Sequence, residues 1–161
     1  MSYDEALKGD KGAAYRAGKK FAELAAWDFI KSENPKFDLV SLNPPMIFGP
    51  YLPLTFERLR LEELNESNKR VYNGYINTKK DEALPHNALN VYIDVRDLAE
   101  AHVKALEVPE VGGERIIVSA REISAQRICD ILRERFVEEL AERTPVGRPG
   151  ISDIEKGSYC K

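Results

Sequence analysis

Several residue types are scarce in this sequence, and each scarcity excludes a class of protein. Among its 161 residues there are only two cysteines, Cys129 and Cys160, and two histidines, His86 and His102. None of them has CxxC or His-rich spacing, so the sequence predicts no disulfide framework and no metal site. Reduced cysteines are typical of a cytoplasmic protein, and we expect that location.

Long apolar runs and an excess of basic charge are also missing. No apolar stretch approaches the about 20 residues that a membrane-spanning helix needs, and the first ten residues contain no signal-peptide core. The formal net charge is −3, with lysines and arginines scattered among acidic residues. The sequence therefore predicts neither a nucleic-acid nor a membrane partner, and a composition of 43% hydrophobic and 32% charged residues is that of a soluble globular domain.

The first half of the sequence alternates a long helix with a short apolar strand, which predicts an α/β fold. A helix is predicted over residues 14–33, where apolar residues in more than one stripe predict burial on most sides. Asn34-Pro35 ends this helix, because proline cannot continue it. A buried parallel strand is predicted over 37–42, followed by a Gly/Pro-punctuated loop over 46–53 and a charged helical stretch over about 55–77.

The second half has clearer boundaries. A strand is predicted over 89–93, and Asp94-Val-Arg-Asp97 has the form of a capping box for a helix from Val95 to about Glu107. A short strand over 115–118 follows, and then Ser124 caps a helix that runs to about Phe136. Beyond Thr144 the sequence is rich in proline and glycine, which predicts a loop.

Tyr15 and Lys19 are the strongest candidates for chemistry. Four residues apart on a predicted helix, they lie one turn apart on the same face, where the ammonium stabilises a tyrosinate. Such a tyrosine can act as a general acid or base toward a carbonyl or hydroxyl group. The spacing alone is weak evidence, because it also fits an amphipathic tyrosine beside a solvated lysine.

Three motifs occur in order along the sequence: AAYRAGKKFAELAAWDFI, DLVSLNPPMIFGP and VYIDVRDLAEAHVKALE. Together they resemble the extended short-chain dehydrogenases/reductases of the NAD-dependent epimerase/dehydratase superfamily, above all the dihydroflavonol-reductase-like and fungal methylglyoxal-reductase-like enzymes. The resemblance covers about residues 2–150. The fold that it implies is a Rossmann-type parallel sheet with a small α/β substrate-binding subdomain.

The resemblance implies a reaction and a cofactor. In such enzymes a tyrosine at the position of Tyr15 protonates the carbonyl oxygen while hydride arrives from NADP(H). Lys19 would stabilise the tyrosinate and hydrogen-bond the hydroxyls of the nicotinamide ribose. The backbone of the loop that contains Asn43, Pro44 and Ile47 would meet the nicotinamide carboxamide.

The resemblance also implies a substrate pocket for a small carbonyl compound or the corresponding alcohol. Met46, Phe48 and Tyr51 would face that pocket, although packing within the loop explains these residues equally well.

Two family features are missing from the sequence. No glycine here lies in a Gly-rich turn between a strand and a helix, where the family seats the cofactor pyrophosphate. The catalytic serine of the family has no counterpart either. We therefore expect one partial domain, the C-terminal portion of such an enzyme, over residues 1–161. Within it, 14–53 hold the catalytic helix with the last Rossmann strand and its loop, 54–150 mostly the substrate-binding subdomain, and 151–161 a frayed tail.

This interpretation leaves three functions open. The first is part of a carbonyl reductase that neither binds NADP(H) usefully nor turns over as this chain alone, and that a complementing N-terminal half could complete. The second is a non-catalytic interaction module that docks a partner through an exposed sheet face. The third is an enzyme of the nucleotide-sugar epimerase/dehydratase type, which shares the Tyr/Lys pair.

Overall fold

A computed structural model describes residues 11–50, 60–86 and 91–154 of the chain. These residues form two units, one from 11–43 and 102–116, the other from 44–50, 60–86, 91–101 and 117–154. Tyr51, Cys160 and most of the predicted tail lie outside the described residues.

The described chain contains five helices and five strands. In order they are α1 (Lys11–Glu33), β1 (Ser41–Asn43), β2 (Met46–Phe48), α2 (Glu66–Val71), β3 (Val91–Asp94), α3 (Val95–Glu107), β4 (Arg115–Ile117), β5 (Arg121–Glu122), α4 (Ala125–Arg135) and α5 (Val137–Leu140). Short 3-10 turns occupy Leu61–Glu63 and Pro109–Val111, and a π-helical turn over Tyr72–Ile76 continues α2. The predicted α/β class is confirmed, with β2 and β3 paired in parallel.

Helix α1 dominates the first unit and ends where the sequence predicts. Asn34 adopts a left-handed backbone conformation with φ 44°, and its N–H donates to the carbonyl of Ile30 at 3.2 Å. The prediction that α1 is buried on most sides was wrong: Ala17 is buried, but Leu24 is 45% and Phe29 49% exposed. A two-stranded sheet is too narrow to cover more than one face of this helix.

Strand β1 pairs with β4 in that two-stranded sheet. The observed strand β1 begins at Ser41 and ends at Asn43, later than the strand predicted over 37–42. It is also shorter, because β4 provides only three partner residues. Before the strand begins, the carbonyl of Leu39 already accepts from Gly113 N–H at 2.9 Å. An ion pair of 2.7 Å between Arg115 and Glu23 ties β4 to α1, and the hydrogen bond from Arg115 lowers the pKa of the Glu23 carboxyl below its usual value.

The second unit contains a three-stranded sheet in the order β2-β3-β5. Ile47 lies opposite Ile93 in the parallel β2–β3 pair, and β5 is antiparallel to β3. The predicted loop over 46–53 was wrong for its first three residues. Their backbone groups find hydrogen-bonding partners in β3, which lies far along the sequence and which local reasoning could not supply.

Asp94 closes β3 and starts α3, and the predicted bounds of this helix are confirmed. Its carboxylate accepts from the backbone N–H of Arg96 at 2.8 Å and from the guanidinium at 2.9 and 2.6 Å. These hydrogen bonds lower the pKa of Asp94 to about 2. The Asp94 carboxylate thus accepts from the N–H of the second helical residue, Arg96. The capping-box pattern predicts a bond from the N–H of the third residue, Asp97, instead.

Helix α4 begins at the predicted cap, where the Ser124 hydroxyl accepts from Arg127 N–H at 3.0 Å. Its inner face buries Ala125 and Cys129 against Tyr75, which forms the core of the second unit. Burial raises the pKa of both Cys129 and Tyr75 to about 12, so the thiol and the phenol stay neutral at physiological pH.

The buried amide of Gln126 holds the loop that follows α5. Its Nε2 donates to Val146 O at 2.9 Å, and its Oε1 accepts from Arg148 N–H at 2.6 Å. Between these two residues Gly147 has φ 56°, and a Cβ built on it would collide with the Gln126 amide oxygen. We call these two hydrogen bonds of the amide, with Val146 and Arg148, the Gln126 clamp. Only glycine fits position 147 without displacing the clamp.

We therefore predict that Gly147→Ala lowers the free energy of unfolding by about 1 to 3 kcal/mol. Gly150→Ala is the matched control, because Gly150 has φ 77° but no atom within 4 Å of its built Cβ. Urea unfolding followed by circular dichroism measures both. Gly150→Ala should lower the free energy of unfolding less, because it adds backbone strain without a collision. Equal losses for the two variants would contradict a collision between the residue 147 side chain and the Gln126 amide.

Candidate functional site

Tyr15 and Lys19 face the same side of α1 in its first turns. The Nζ of Lys19 lies 5.8 Å from the centroid of the Tyr15 ring, within the range of a cation–π contact. Tyr15 is 66% exposed, so its side chain is open to a bound molecule. Gly18 lies between them in the sequence, and no atom lies within 4 Å of a Cβ built on it. The space beside the phenol is therefore open.

Asn43 closes β1 in the same unit as Tyr15 and Lys19. Its side-chain amide donates to the Ser41 hydroxyl at 3.1 Å and, more weakly, to the Ser41 carbonyl at 3.4 Å. The amide nitrogen is therefore engaged inside its own strand.

Pro44, Met46, Ile47 and Phe48 belong to the second unit. Alternation along β2 puts Met46 and Phe48 on one face of the sheet and Ile47 on the other. Met46 and Phe48 line one cavity of about 290 Å³. Ile47 lies opposite the buried Ile93 and is itself half-buried; the predicted contact with a cofactor would use its backbone.

The same cavity contains three polar side chains that the sequence analysis did not assign to any site. Arg70 comes from α2, Tyr75 from the π-helical turn and His86 from the segment after it. The spacing of Arg70, Val71, Gly74 and Tyr75 is that of one helix face, and this signal could have grouped them. His86 has no comparable signal, because the chain that follows the π-helical turn determines its position.

The described residues contain neither a metal-binding cluster nor a membrane-spanning helix. Within 11–50, 60–86 and 91–154, no three His, Cys, Asp or Glu side chains lie close enough to hold a metal ion. No helix in those ranges is both long and apolar enough to cross a membrane.

Comparison with curated proteins finds fungal and plant reductases, while no family model matches. The chain is 43% identical over 159 residues to the ketoreductase azaE of Aspergillus niger, spanning 99% of this chain and 45% of that enzyme. It is 38% identical over 148 residues to the NADPH-dependent methylglyoxal reductase GRE2 of Saccharomyces cerevisiae, spanning 91% of this chain and 42% of that enzyme. Cinnamoyl-CoA reductase 1 of Arabidopsis thaliana is 33% identical over 124 residues.

The fold is similar to solved reductases as well. Yeast methylglyoxal/isovaleraldehyde reductase Gre2 complexed with NADPH matches with a TM-score of 0.82 and 35% identity over 93% of this chain and 42% of that one. Gre2 of Candida albicans in complex with NADPH matches with a TM-score of 0.79 and 34% identity, over 93% of this chain and 42% of that one. The chain thus spans less than half the length of the relatives it matches. That coverage fits the C-terminal portion expected from the motifs, and the Rossmann-type fold class is confirmed.

Proposed function

Because this chain belongs to the extended short-chain dehydrogenase/reductase family, we propose that it provides the proton-donating part of an NADPH-dependent carbonyl reductase. The observation that carries this proposal is the exposed Tyr15 phenol with the Lys19 ammonium 5.8 Å from its ring centroid. The names of the relatives support NADPH as the cofactor. Hydride from NADPH would reduce a ketone or an aldehyde to the alcohol.

In this proposal, the Tyr15 hydroxyl gives its proton to the carbonyl oxygen as the hydride reaches the carbonyl carbon. Lys19 stabilises the tyrosinate that remains and hydrogen-bonds the nicotinamide ribose. The backbone around Asn43, Pro44 and Ile47 meets the carboxamide.

We propose that the cavity of Met46 and Phe48 receives the apolar part of a small carbonyl substrate. Two observations support this assignment. Alternation along β2 brings both side chains onto one face of the sheet, and the cavity that they line has a volume of about 290 Å³, close to the lower end of the range for ligand pockets.

The Gly-rich turn with which enzymes of the family seat the cofactor pyrophosphate has no counterpart in the sequence. The contacts assigned to Lys19 and to the loop around Asn43 reach only the nicotinamide end. Association costs several kcal/mol of translational and rotational freedom, which these few contacts do not offset.

The second function that an observation favours is docking of a partner. Tyr15, Gly18, Ala22, Ala25 and Phe29 recur at steps of three and four residues and are all exposed on one face of α1. The small residues allow a close approach, and a partner on this face would exclude water from the exposed Tyr15 phenol, which strengthens the electrostatic interactions around a proton donor. We propose that this stripe receives the family-type N-terminal half, since the chain spans only 42–45% of its relatives.

The first functional prediction concerns Tyr15 and Lys19 in a chimera that joins this chain to the part of the Aspergillus niger ketoreductase it does not match. Tyr15→Phe lowers kcat at least about 100-fold through loss of the general acid, with little change in NADPH affinity. Lys19→Ala lowers kcat and also weakens NADPH binding, because Lys19 has two roles. Aldehyde-dependent NADPH oxidation gives kcat, and fluorescence titration gives the affinity.

Tyr72→Phe and Lys20→Ala are the matched controls for these variants, since neither residue is assigned to the site. Near-wild-type turnover of Tyr15→Phe would remove Tyr15 from the mechanism, whatever the controls do.

The second prediction concerns the 161-residue chain by itself. We expect no NADPH binding tighter than a Kd of about 1 mM, which corresponds to about −4 kcal/mol, and no reductase activity on aldehydes or ketones. Calorimetric titration with NADPH checks the affinity. Micromolar binding would show that the chain seats the pyrophosphate by a route other than a Gly-rich turn.

The third prediction tests the stripe on α1. Mixing the chain with the separately expressed N-terminal half of the ketoreductase should give a one-to-one complex, and Ala22→Asp should weaken it at least about tenfold by burying an unpaired charge. Ala83→Asp adds the same charge at an exposed loop position and should leave the complex intact.

Analytical ultracentrifugation measures the complex and NADPH oxidation reports its activity. A stable but inactive complex would favour the interaction module over the reductase, and equal effects of the two substitutions would contradict the stripe as the docking face.

A further inference from the structure

The cavity lined by Met46 and Phe48 has mostly apolar walls and carries a positively charged side chain at one place. Met46 and Phe48 contribute from β2 and Ile128 from α4, while Arg70 and His86 supply the nitrogen donors. A pocket that served only to hold an alkyl or aryl group would gain nothing from an arginine. The charge therefore calls for a ligand group of the opposite sign.

Arg70 has hydrogen-bonding capacity left for such a group. Its Nε contacts the Glu66 carboxylate at 3.2 Å, and its side chain is 60% exposed. In the part of the chain that the structure describes, this is the one ion pair of Arg70. A guanidinium has five N–H donors, so its two terminal amino groups can still bind a carboxylate in the bidentate geometry that arginine favours.

The other polar groups of the cavity are compatible with an anion. His86 is exposed and offers an imidazole nitrogen as a donor. The buried phenol of Tyr75, whose pKa is raised to about 12 by burial, remains neutral and does not repel a negative charge. Glu66 is the nearby opposing charge, and it is already paired with Arg70.

We propose that this cavity selects carbonyl compounds that carry a carboxylate. The apolar body packs against Met46 and Phe48, and the carboxylate binds Arg70 with His86 as a second donor. A volume of about 290 Å³ suits one ring or a short branched chain, so the substrates are small oxo-acids. The assignment of these compounds as substrates rests on the proposed function, whereas the preference for a carboxylate is a property of the cavity alone.

Binding to the 161-residue chain tests the preference without cofactor or turnover. The chain has only two methionines, Met1 and Met46, so ¹³C-methyl labelling of methionine gives two signals, and Met46→Leu assigns the one in the cavity. Titration with benzoate and with benzamide compares a charged and a neutral ligand of the same shape. We expect both to shift the Met46 signal, with a Kd for benzoate at least about tenfold lower.

Arg70→Gln removes the charge while keeping polar donors, and it should abolish the preference for benzoate without changing the Kd of benzamide. Arg127→Gln is the matched control, since Arg127 is similarly exposed, pairs with Glu134 at 3.5 Å and lies outside the cavity lining. It should leave both affinities unchanged.

Equal affinity for the two ligands, a preference that survives Arg70→Gln, or a Met46 signal that neither ligand moves would overturn the proposal. A different result would show that the proposed reductase function, and not the carboxylate preference, is wrong. Tyr15→Phe would then leave turnover of the chimera unchanged, while the benzoate preference of the isolated chain persists.

Discussion

The second unit depends on the three-residue parallel pairing of β2 with β3. This register puts Ile47 opposite the buried Ile93 and sends Met46 and Phe48 to the opposite face, where the cavity lies. It also ends at Asp94, whose carboxylate starts α3. Because side chains alternate along a strand, a slip by one residue would move Met46 and Phe48 away from the cavity and bring Ile47 to it.

Helix α1 combines two demands that a fully packed helix could not meet. Its inner face buries Ala13 and Ala17, while Tyr15 and Phe29 remain exposed on another. A proton donor must reach a substrate, so burial of Tyr15 inside its own unit would defeat the proposed role. The proposal that this face of α1 receives a family-type N-terminal half accounts for both the exposed stripe and the exposed phenol.

The ion pairs of the structure position elements more than they stabilise them. Arg115–Glu23 and Arg96–Asp94 both involve a largely exposed arginine, and pairs of this kind contribute little net stability because water and salt screen them. Their value is geometric, since one joins α1 to β4 and the other fixes the start of α3. Arg70 differs from these two arginines in lining an apolar cavity, where a charge acts on whatever ligand enters.

The sequence by itself determined the features that arise within a few residues. Asn34-Pro35 ends α1, Asp94 and Ser124 start α3 and α4, and four-residue spacing puts Lys19 beside Tyr15. Caps and helix spacing are local, so they can be derived without knowledge of the rest of the chain.

The tertiary structure alone decided that Met46–Phe48 is a strand, that much of α1 is exposed and that Arg70 and His86 share a cavity with Phe48. Strand pairing and burial depend on partners far away in sequence, as for Met46 and Tyr92. No local pattern contains those partners, and only the folded chain brings them together.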